Sequence, residues 1–290
     1  MRKRKYEPRI SDVLGVALCL LMPLQLGFAA LTARLDLSVL SLFVRFLLQL
    51  PVYLIPVFFV FFAYKRLGRT LAVLPRTLDY NRTAMLTVST FGAVVILQVL
   101  YAAVFPSTVP ISGVARDTSV FAFLLLSLTS VVLPCVLEEM LFRGVVLRAL
   151  TAYRALLAIL ISSLVNALTC FSLEAFPIRF VCSFLIGSLY YATGSLAVSV
   201  SVRVLAGSAW FLAEAVSVYA VSRYDLFVRV LVAACALLLA FGLPFLKATV
   251  RALLADENDA GVLPSSHFWG IPISVFLILA VGVQIVFGAW

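Results

Sequence analysis

The stretch that decides the fold runs from Thr118 to Leu147 and reads TSVFAFLLLSLTSVVLPCVLEEMLFRGVVL. Its first part, from Thr118 to Leu137, carries no charged residue. The hydrocarbon core of a bilayer is about 30 Å thick, and about 20 apolar residues in an α-helix cross it. The stretch is therefore predicted to be a transmembrane helix. Pro134 is expected to kink it, because proline lacks the amide proton that an inner helical turn requires.

Similar apolar runs lie on both sides of this stretch. The chain of 290 residues is 64% hydrophobic and 12% charged, whereas a soluble domain carries about 25% charged residues. Every backbone polar group in lipid must be satisfied within its own segment, so the runs are expected to be helices. The predicted fold class is all-α, a polytopic transmembrane helical bundle of about nine spans. The predicted spans are 13–31, 40–63, 84–105, 118–147, 154–173, 177–193, 195–219, 226–246 and 271–289.

Charge and cysteine usage exclude several classes of function. The net charge is +9, but the basic residues stand at the ends of apolar runs and do not form a patch interleaved with aromatics, so no nucleic-acid partner is predicted. The five cysteines lie inside apolar stretches without a CxxC pair, which favours reduced packing residues. No metal or cofactor is predicted. The cysteines are Cys19, Cys135, Cys170, Cys182 and Cys235.

Lysine and arginine are distributed unequally between the two sets of alternate loops, which lie on opposite sides of the membrane. One set holds fourteen basic residues, including those of the N-terminal segment, and the other holds only Arg34, Arg116, Arg179 and Arg223. Because positive charge resists translocation, this distribution predicts a cytosolic N-terminus. With an odd number of spans, Trp290 would lie outside. The bilayer is thus the first predicted partner, and we expect the plasma membrane to be the location.

Three charged residues interrupt the apolar stretch quoted above. An ionisable residue inside a span costs about 2.5–3.5 kcal/mol, so each needs a partner or a function. Glu139 and Arg143 are four residues apart and share a helix face, which predicts an ion pair. Glu138 points about 100° away. Two such carboxylates suit hydrolysis. One of them is held in an ion pair and orients the site, while the second acts as general base on water. The alternative is a helix end whose charged side chains extend to the interface.

A second pair of charges lies in the seventh predicted span. Arg203 and Glu214 are eleven residues apart, which returns them to nearly the same helix face. Both are candidates to line a polar site inside the bundle.

The motif Glu138-Glu139-x-x-x-Arg143 resembles the first motif of the CPBP family. This family of membrane endopeptidases includes type II CAAX prenyl proteases and bacteriocin-processing proteins. The apolar run Ala158–Leu168 follows at the expected place, and Ile186–Leu196 is similar to the connection into the last motif helix. The resemblance predicts a family core at 118–215, with membrane helices at 1–117 and 216–290 on either side.

The later motifs of the family are changed in this chain. The second motif, Phe-x-x-x-His, reads Asn166 to Cys170, and the third, His-x-x-x-Asn, reads Arg203 to Gly207. The resemblance implies Glu138, Glu139 and Arg143 as catalytic residues, with Cys170 and Arg203 in the histidine positions. The only histidine, His267, lies outside the motifs.

Three functions stay open from the sequence. The first is an endopeptidase, a hydrolase in which Glu138 activates water and Arg203 binds the oxyanion, with activity reduced by the missing histidines. The second is a pseudoenzyme, a non-catalytic family member that binds a membrane-anchored or lipidated peptide or a partner protein. If Arg203 faces Glu138, an ion pair would neutralise the carboxylate that should act as base, which favours lost activity. The third is a small transporter or channel subunit.

Overall fold

Helices account for nearly all of the chain that can be described. The computed structural model describes residues 10–33, 35, 38–68, 71, 79–105, 119–151, 153–170, 172–255 and 271–287. These residues form nine helices and no strand. The helices are α1 (Ile10–Thr32), α2 (Val39–Arg66), α3 (Tyr80–Val104), α4 (Val120–Leu150), α5 (Ala155–Leu168), α6 (Phe176–Thr193), α7 (Leu196–Tyr219), α8 (Tyr224–Ala255) and α9 (Ile271–Phe287).

The helices agree with the predicted spans in position, and the all-α polytopic bundle is confirmed. Seven of the nine described helices are long and apolar enough to cross a membrane. The other two are α5, with 14 residues, and α9, with 17. A helix of the length of α5 extends about 21 Å, less than the hydrocarbon thickness of about 30 Å. The count of nine complete crossings therefore stays a prediction.

The long helix α4 contains two π-helical turns. The first, Leu128–Val132, ends two residues before Pro134, and the second, Phe142–Leu147, contains Arg143. A π turn interrupts the regular backbone hydrogen bonds of the helix. Such an interruption is compatible with a nearby proline, because proline has no amide proton to donate. In the second turn, the hydroxyl of Ser162 in α5 donates to the carbonyl oxygen of Phe142 at 3.0 Å.

The position of α4 in the bundle is fixed by contacts with α6 and α7. Arg143 reaches Ser183, and Arg148 Nε donates to the Tyr190 hydroxyl, so α4 and α6 run parallel. The helix α7 runs antiparallel to α4, because the Cys135 thiol lies 3.7 Å from the Arg203 carbonyl oxygen, whereas a Cβ on the later Gly207 would lie 2.9 Å from the earlier Val131. The central helix is thereby enclosed by its neighbours at the depth of the predicted site.

Close backbone approaches hold the outer helices together. A Cβ on Gly92 of α3 would lie 2.5 Å from the carbonyl oxygen of Cys235 in α8. A Cβ on Gly242 would overlap the side chain of Ser89 and lie 2.7 Å from the carbonyl oxygen of Met85. These contacts make α3 and α8 antiparallel. Small residues at such crossings are typical of membrane helix pairs, since they let two backbones approach.

The terminal helices pack on each other as well. A Cβ on Gly15 of α1 would collide with the backbone of Pro272 and Ile273 at the start of α9. The thiol of Cys19 lies 3.7 Å from the Pro272 carbonyl oxygen. The first and last described helices therefore belong to one bundle, in which they run side by side.

The α3–α8 contact gives a test of the packing. Gly242→Ala should lower the free energy of unfolding by about 1–3 kcal/mol, because the added methyl group overlaps Ser89. Gly27→Ala is the matched control, since a Cβ there has nothing within 4 Å. Unfolding midpoints of the purified protein in detergent would measure both. Equal midpoints for the two variants would contradict the observed helix contact.

Candidate functional site

The predicted ion pair within α4 is present and fully buried. Arg143 Nε lies 3.2 Å from Glu139 Oε2, and the side chains are 1% and 0% exposed. The N–H direction does not favour a hydrogen bond, so the contact is a charge pair. Arg143 also donates to the carbonyl oxygen and the hydroxyl of Ser183 in α6, at 2.7 and 2.8 Å. Arg143 thus anchors α4 to α6 from a fully buried position.

Glu138 is buried between two arginines from different helices. Arg203 Nη2 of α7 lies 3.0 Å from Oε2, and Arg179 Nη1 of α6 lies 3.4 Å from Oε1. The hydroxyl of Tyr53 in α2 donates to Oε1 at 3.4 Å, and Gln25 in α1 donates to that hydroxyl at the same distance. The predicted pairing of Arg203 with Glu138 is confirmed. One carboxylate therefore connects α4 to α2, α6 and α7.

Arg179 is the site residue that the sequence reasoning missed. The charge distribution predicts a loop position for Arg179, but the structure places it in the first turn of α6, which begins at Phe176. From there its side chain reaches the carboxylate of Glu138. Its position inside the predicted span 177–193 could have indicated that Arg179 belongs to a helix and not to a loop.

The charges of this cluster do not balance. Among the described residues, its ion pairs join three guanidinium groups to two carboxylates. The cluster lies inside the membrane-spanning part of α4, since Glu138 is twelve residues, or about 18 Å, from the helix end at Leu150. The charged cluster, meaning Glu138, Glu139, Arg143, Arg179 and Arg203, therefore carries one excess positive charge in an apolar environment.

A cavity of about 490 Å³ adjoins the charged cluster. Arg179 and Arg203 form its inner end, together with Cys135 and Cys182. The outer end is defined by polar residues near the start of α2 and the ends of α3 and α7. These residues are Arg45, Tyr101 and Glu214. A ligand in the cavity would reach the arginines that hold Glu138.

The residues at the changed motif positions also lie around this cavity. Cys170 and Gly207 line it with Arg203. The thiol of Cys170 donates to the Ser172 carbonyl oxygen at 3.3 Å and lies 3.8 Å from Gln284 Nε2 of α9. These contacts lie at the α5–α6 turn and on α9, and neither of them is with Glu138. The cavity accordingly has a thiol and a guanidinium group at the two positions where the family has histidines.

Asn166 and His267 contribute less to the site. Asn166 is buried in α5, and its Oδ1 has no hydrogen-bond partner among the described residues. His267 lies outside the described residues.

The residues of the site do not fit a metal ion. Both glutamates are already paired with arginines, and zinc prefers sets of histidine and cysteine ligands. In the described part of the chain, no group of three or more His, Cys, Asp or Glu side chains could hold a metal.

The fold and the charged cluster define a polytopic helical membrane protein with a paired-glutamate site in its central helix. Residues 120–209 match the family model described as type II CAAX prenyl endopeptidase Rce1-like. The match covers α4, α5, α6 and most of α7, and the resemblance predicted from the motifs is confirmed. Neither a curated protein nor a solved structure matches the chain.

The matched range is close to the predicted core at 118–215. The limits of the flanking segments 1–117 and 216–290 stay predictions. Their helices nevertheless reach the core, because Tyr53 of α2 donates to Glu138 and Gln284 of α9 donates to the Leu168 carbonyl oxygen.

The buried pair in α4 can be tested by single and double substitution. Arg143→Gln leaves the completely buried Glu139 without its counter-charge and should lower the free energy of unfolding by about 3–5 kcal/mol. Adding Glu139→Gln should recover most of this loss, because the double variant buries no charge at that position. Chemical unfolding in detergent would measure both. A double variant no more stable than Arg143→Gln would contradict the charge-pair account.

Proposed function

We propose that the protein is a CAAX-protease-like membrane protein without ordinary peptidase activity, and that its cavity binds a membrane-anchored or lipidated peptide. The observation that carries this proposal is the contact of Glu138 with two arginines at once. The resemblance would make Glu138 the general base. The same geometry leaves it poorly suited to that role.

A general base needs an available lone pair, a nearby water and a proton affinity matched to the task. Each oxygen of Glu138 faces a guanidinium group, at 3.0 and 3.4 Å. Two positive charges stabilise the carboxylate form and weaken its attraction for a proton. Glu139 is paired with Arg143 and completely buried. Both glutamates therefore support the helix packing better than they support proton transfer.

The changed motif positions point in the same direction. Cys170 and Arg203 stand where the resemblance places two imidazoles, and neither replaces an imidazole as a proton carrier near neutral pH. A family asparagine would not fit at Gly207 without movement, because even a Cβ there would lie 2.9 Å from Val131 and 3.4 Å from the thiol of Cys135. The packing around Gly207 therefore fits a glycine and leaves no room for the asparagine of the motif.

One observation favours the alternative of a rearranged endopeptidase. Arg203 Nε is buried without a hydrogen-bond partner among the described residues, and Arg203 lines the cavity. A donor in that position could stabilise an oxyanion, and one such donor contributes about 10²–10³ to turnover in other hydrolases. This alternative still lacks a base, because Arg203 itself neutralises Glu138.

The binding function is supported by the location of the cavity. It extends from the charged cluster toward Tyr101 and Glu214, near the ends of α3 and α7. The distribution of lysine and arginine predicts that these helix ends face outside, with a cytosolic N-terminus and the plasma membrane as location. A peptide held in the membrane would reach the arginines along this route.

The proposal is tested by a cleavage assay in reconstituted vesicles. Lipidated and unlipidated membrane-anchored peptides are incubated with the natural chain and with Glu138→Ala, and the products are analysed by mass spectrometry. We expect the natural chain to produce no more cleavage than Glu138→Ala does. Retention of the same peptides by crosslinking to the natural chain provides the binding readout.

Cleavage that depends on Glu138 would contradict the proposal and establish the rearranged endopeptidase. A second variant addresses the role of the arginines. Arg203→His returns an imidazole to its motif position and removes one of the two charges on Glu138. Activity that appears only in this variant would support the explanation of why the natural site is inactive.

A further inference from the structure

The excess positive charge of the charged cluster indicates what the cavity binds. A charge buried in an apolar environment without compensation costs several kcal/mol. Three guanidinium groups face two carboxylates in the ion pairs of the cluster, and Glu138 serves Arg179 and Arg203 simultaneously. A single negative charge placed beside these two arginines would restore the balance.

The polar atoms around the cavity indicate the same kind of ligand. Four buried side-chain atoms of cavity residues have no hydrogen-bond partner among the described residues, and three of them are donors. The donors are Arg45 Nε, Arg203 Nε and Trp210 Nε1, and the acceptor is Gln98 Oε1. Buried donors without partners are costly, so a ligand that supplies acceptor oxygens is favoured.

Arg179 is the arginine best placed to receive such a ligand. Its side chain is 33% exposed, whereas that of Arg203 is 12% exposed. Both line the cavity. Arg179 is also the more distant of the two from Glu138, at 3.4 against 3.0 Å. A guanidinium group offers paired N–H donors that match the two oxygens of a carboxylate.

The other lining residues indicate an apolar body for the ligand. Val131 and Phe211 belong to a buried hydrophobic cluster and line the cavity together with Ile178. Apolar contacts of this kind favour an alkyl chain or apolar side chains beside the charged group. The cavity thus combines an excess cation at one end with apolar walls.

We infer that the cavity binds a carboxylate on an apolar ligand, and that Arg179 and Arg203 receive this carboxylate at its inner end. The inference rests on the proposed binding function and names the chemistry of the ligand. A free peptide C-terminus and a fatty acid both carry such a group.

The test measures binding to the full-length protein in detergent by tryptophan fluorescence, because Trp210 lines the cavity. Two matched pairs of probes are used. One is an N-acetylated apolar peptide with a free C-terminal carboxylate and its C-terminal amide; the other is oleate and oleyl alcohol. In at least one pair, we expect the carboxylate form to bind about tenfold or more tightly than its neutral analogue, as for a hydrogen bond to a charged group.

Substitutions then locate the site. Arg179→Gln should reduce the preference for carboxylate to near unity, while Arg179→Lys should retain part of it. Arg229→Gln is the matched control, because Arg229 is exposed on α8 and is not one of the residues that line the cavity. This variant should keep the full preference. The unfolding midpoint of each variant without ligand verifies that it is folded.

Equal affinity for charged and neutral probes in both pairs would overturn the inference. So would a preference that survives in both Arg179→Gln and Arg203→Gln, or one that Arg229→Gln removes as completely as Arg179→Gln does. A preference in the peptide pair alone supports a peptide C-terminus, and one in the oleate pair alone supports a fatty acid.

The experiments distinguish a failure of the proposed function from a failure of the carboxylate site. Cleavage that depends on Glu138, together with a retained carboxylate preference, would overturn the proposed lack of activity and support the carboxylate site. Crosslinking of peptides without cleavage and without a carboxylate preference would overturn the carboxylate site alone.

Discussion

One buried carboxylate, that of Glu138, lies between two guanidinium groups, and the arrangement of the central helices depends on it. Arg203 and Arg179 approach its two oxygens from α7 and α6, and Tyr53 approaches from α2. In an apolar environment, none of these charges is stable without its partners. The contacts therefore fix the relative positions of four helices and also form the inner wall of the cavity.

The same interaction is the basis of the proposed lack of peptidase activity. The match to a type II CAAX prenyl endopeptidase Rce1-like model covers the helices that carry the motifs. Within them, Glu138 and Glu139 are retained, but both are neutralised by arginines. Arg203 carries a permanent positive charge at the position where the resemblance places a histidine, which could carry a proton. The same charge supports the proposed carboxylate site.

Much of this arrangement could be predicted from the sequence. The apolar runs predict the helices because lipid excludes unsatisfied backbone groups, and the spacing of Glu139 and Arg143 predicts their pair because residues four apart share a helix face. The contact between Arg203 and Glu138 followed from the family motifs. In each case, a local spacing or a strong energetic constraint determines the result.

Other features depend on packing between distant parts of the chain. Arg179 looked like a loop charge because it stands at the start of the predicted span 177–193, and its contact with Glu138 depends on how α6 packs against α4. The π turns of α4 have no comparable pattern in the residues, although Pro134 marks the first of them. The approach of Gly15 to Pro272 joins residues from opposite ends of the chain, and no spacing rule predicts such a contact.

The central claim is that Glu138 is neutralised by Arg179 and Arg203 together, and a set of unfolding measurements on charge variants tests it most directly. Glu138→Gln leaves two arginines unpaired and should lower the free energy of unfolding by about 3–5 kcal/mol. Arg203→Gln should cost less, because Arg179 still pairs with Glu138. The double variant Arg203→Gln/Glu138→Gln should be more stable than Glu138→Gln alone, because it leaves one arginine unpaired and not two. Strictly additive losses in the double variant would contradict the account.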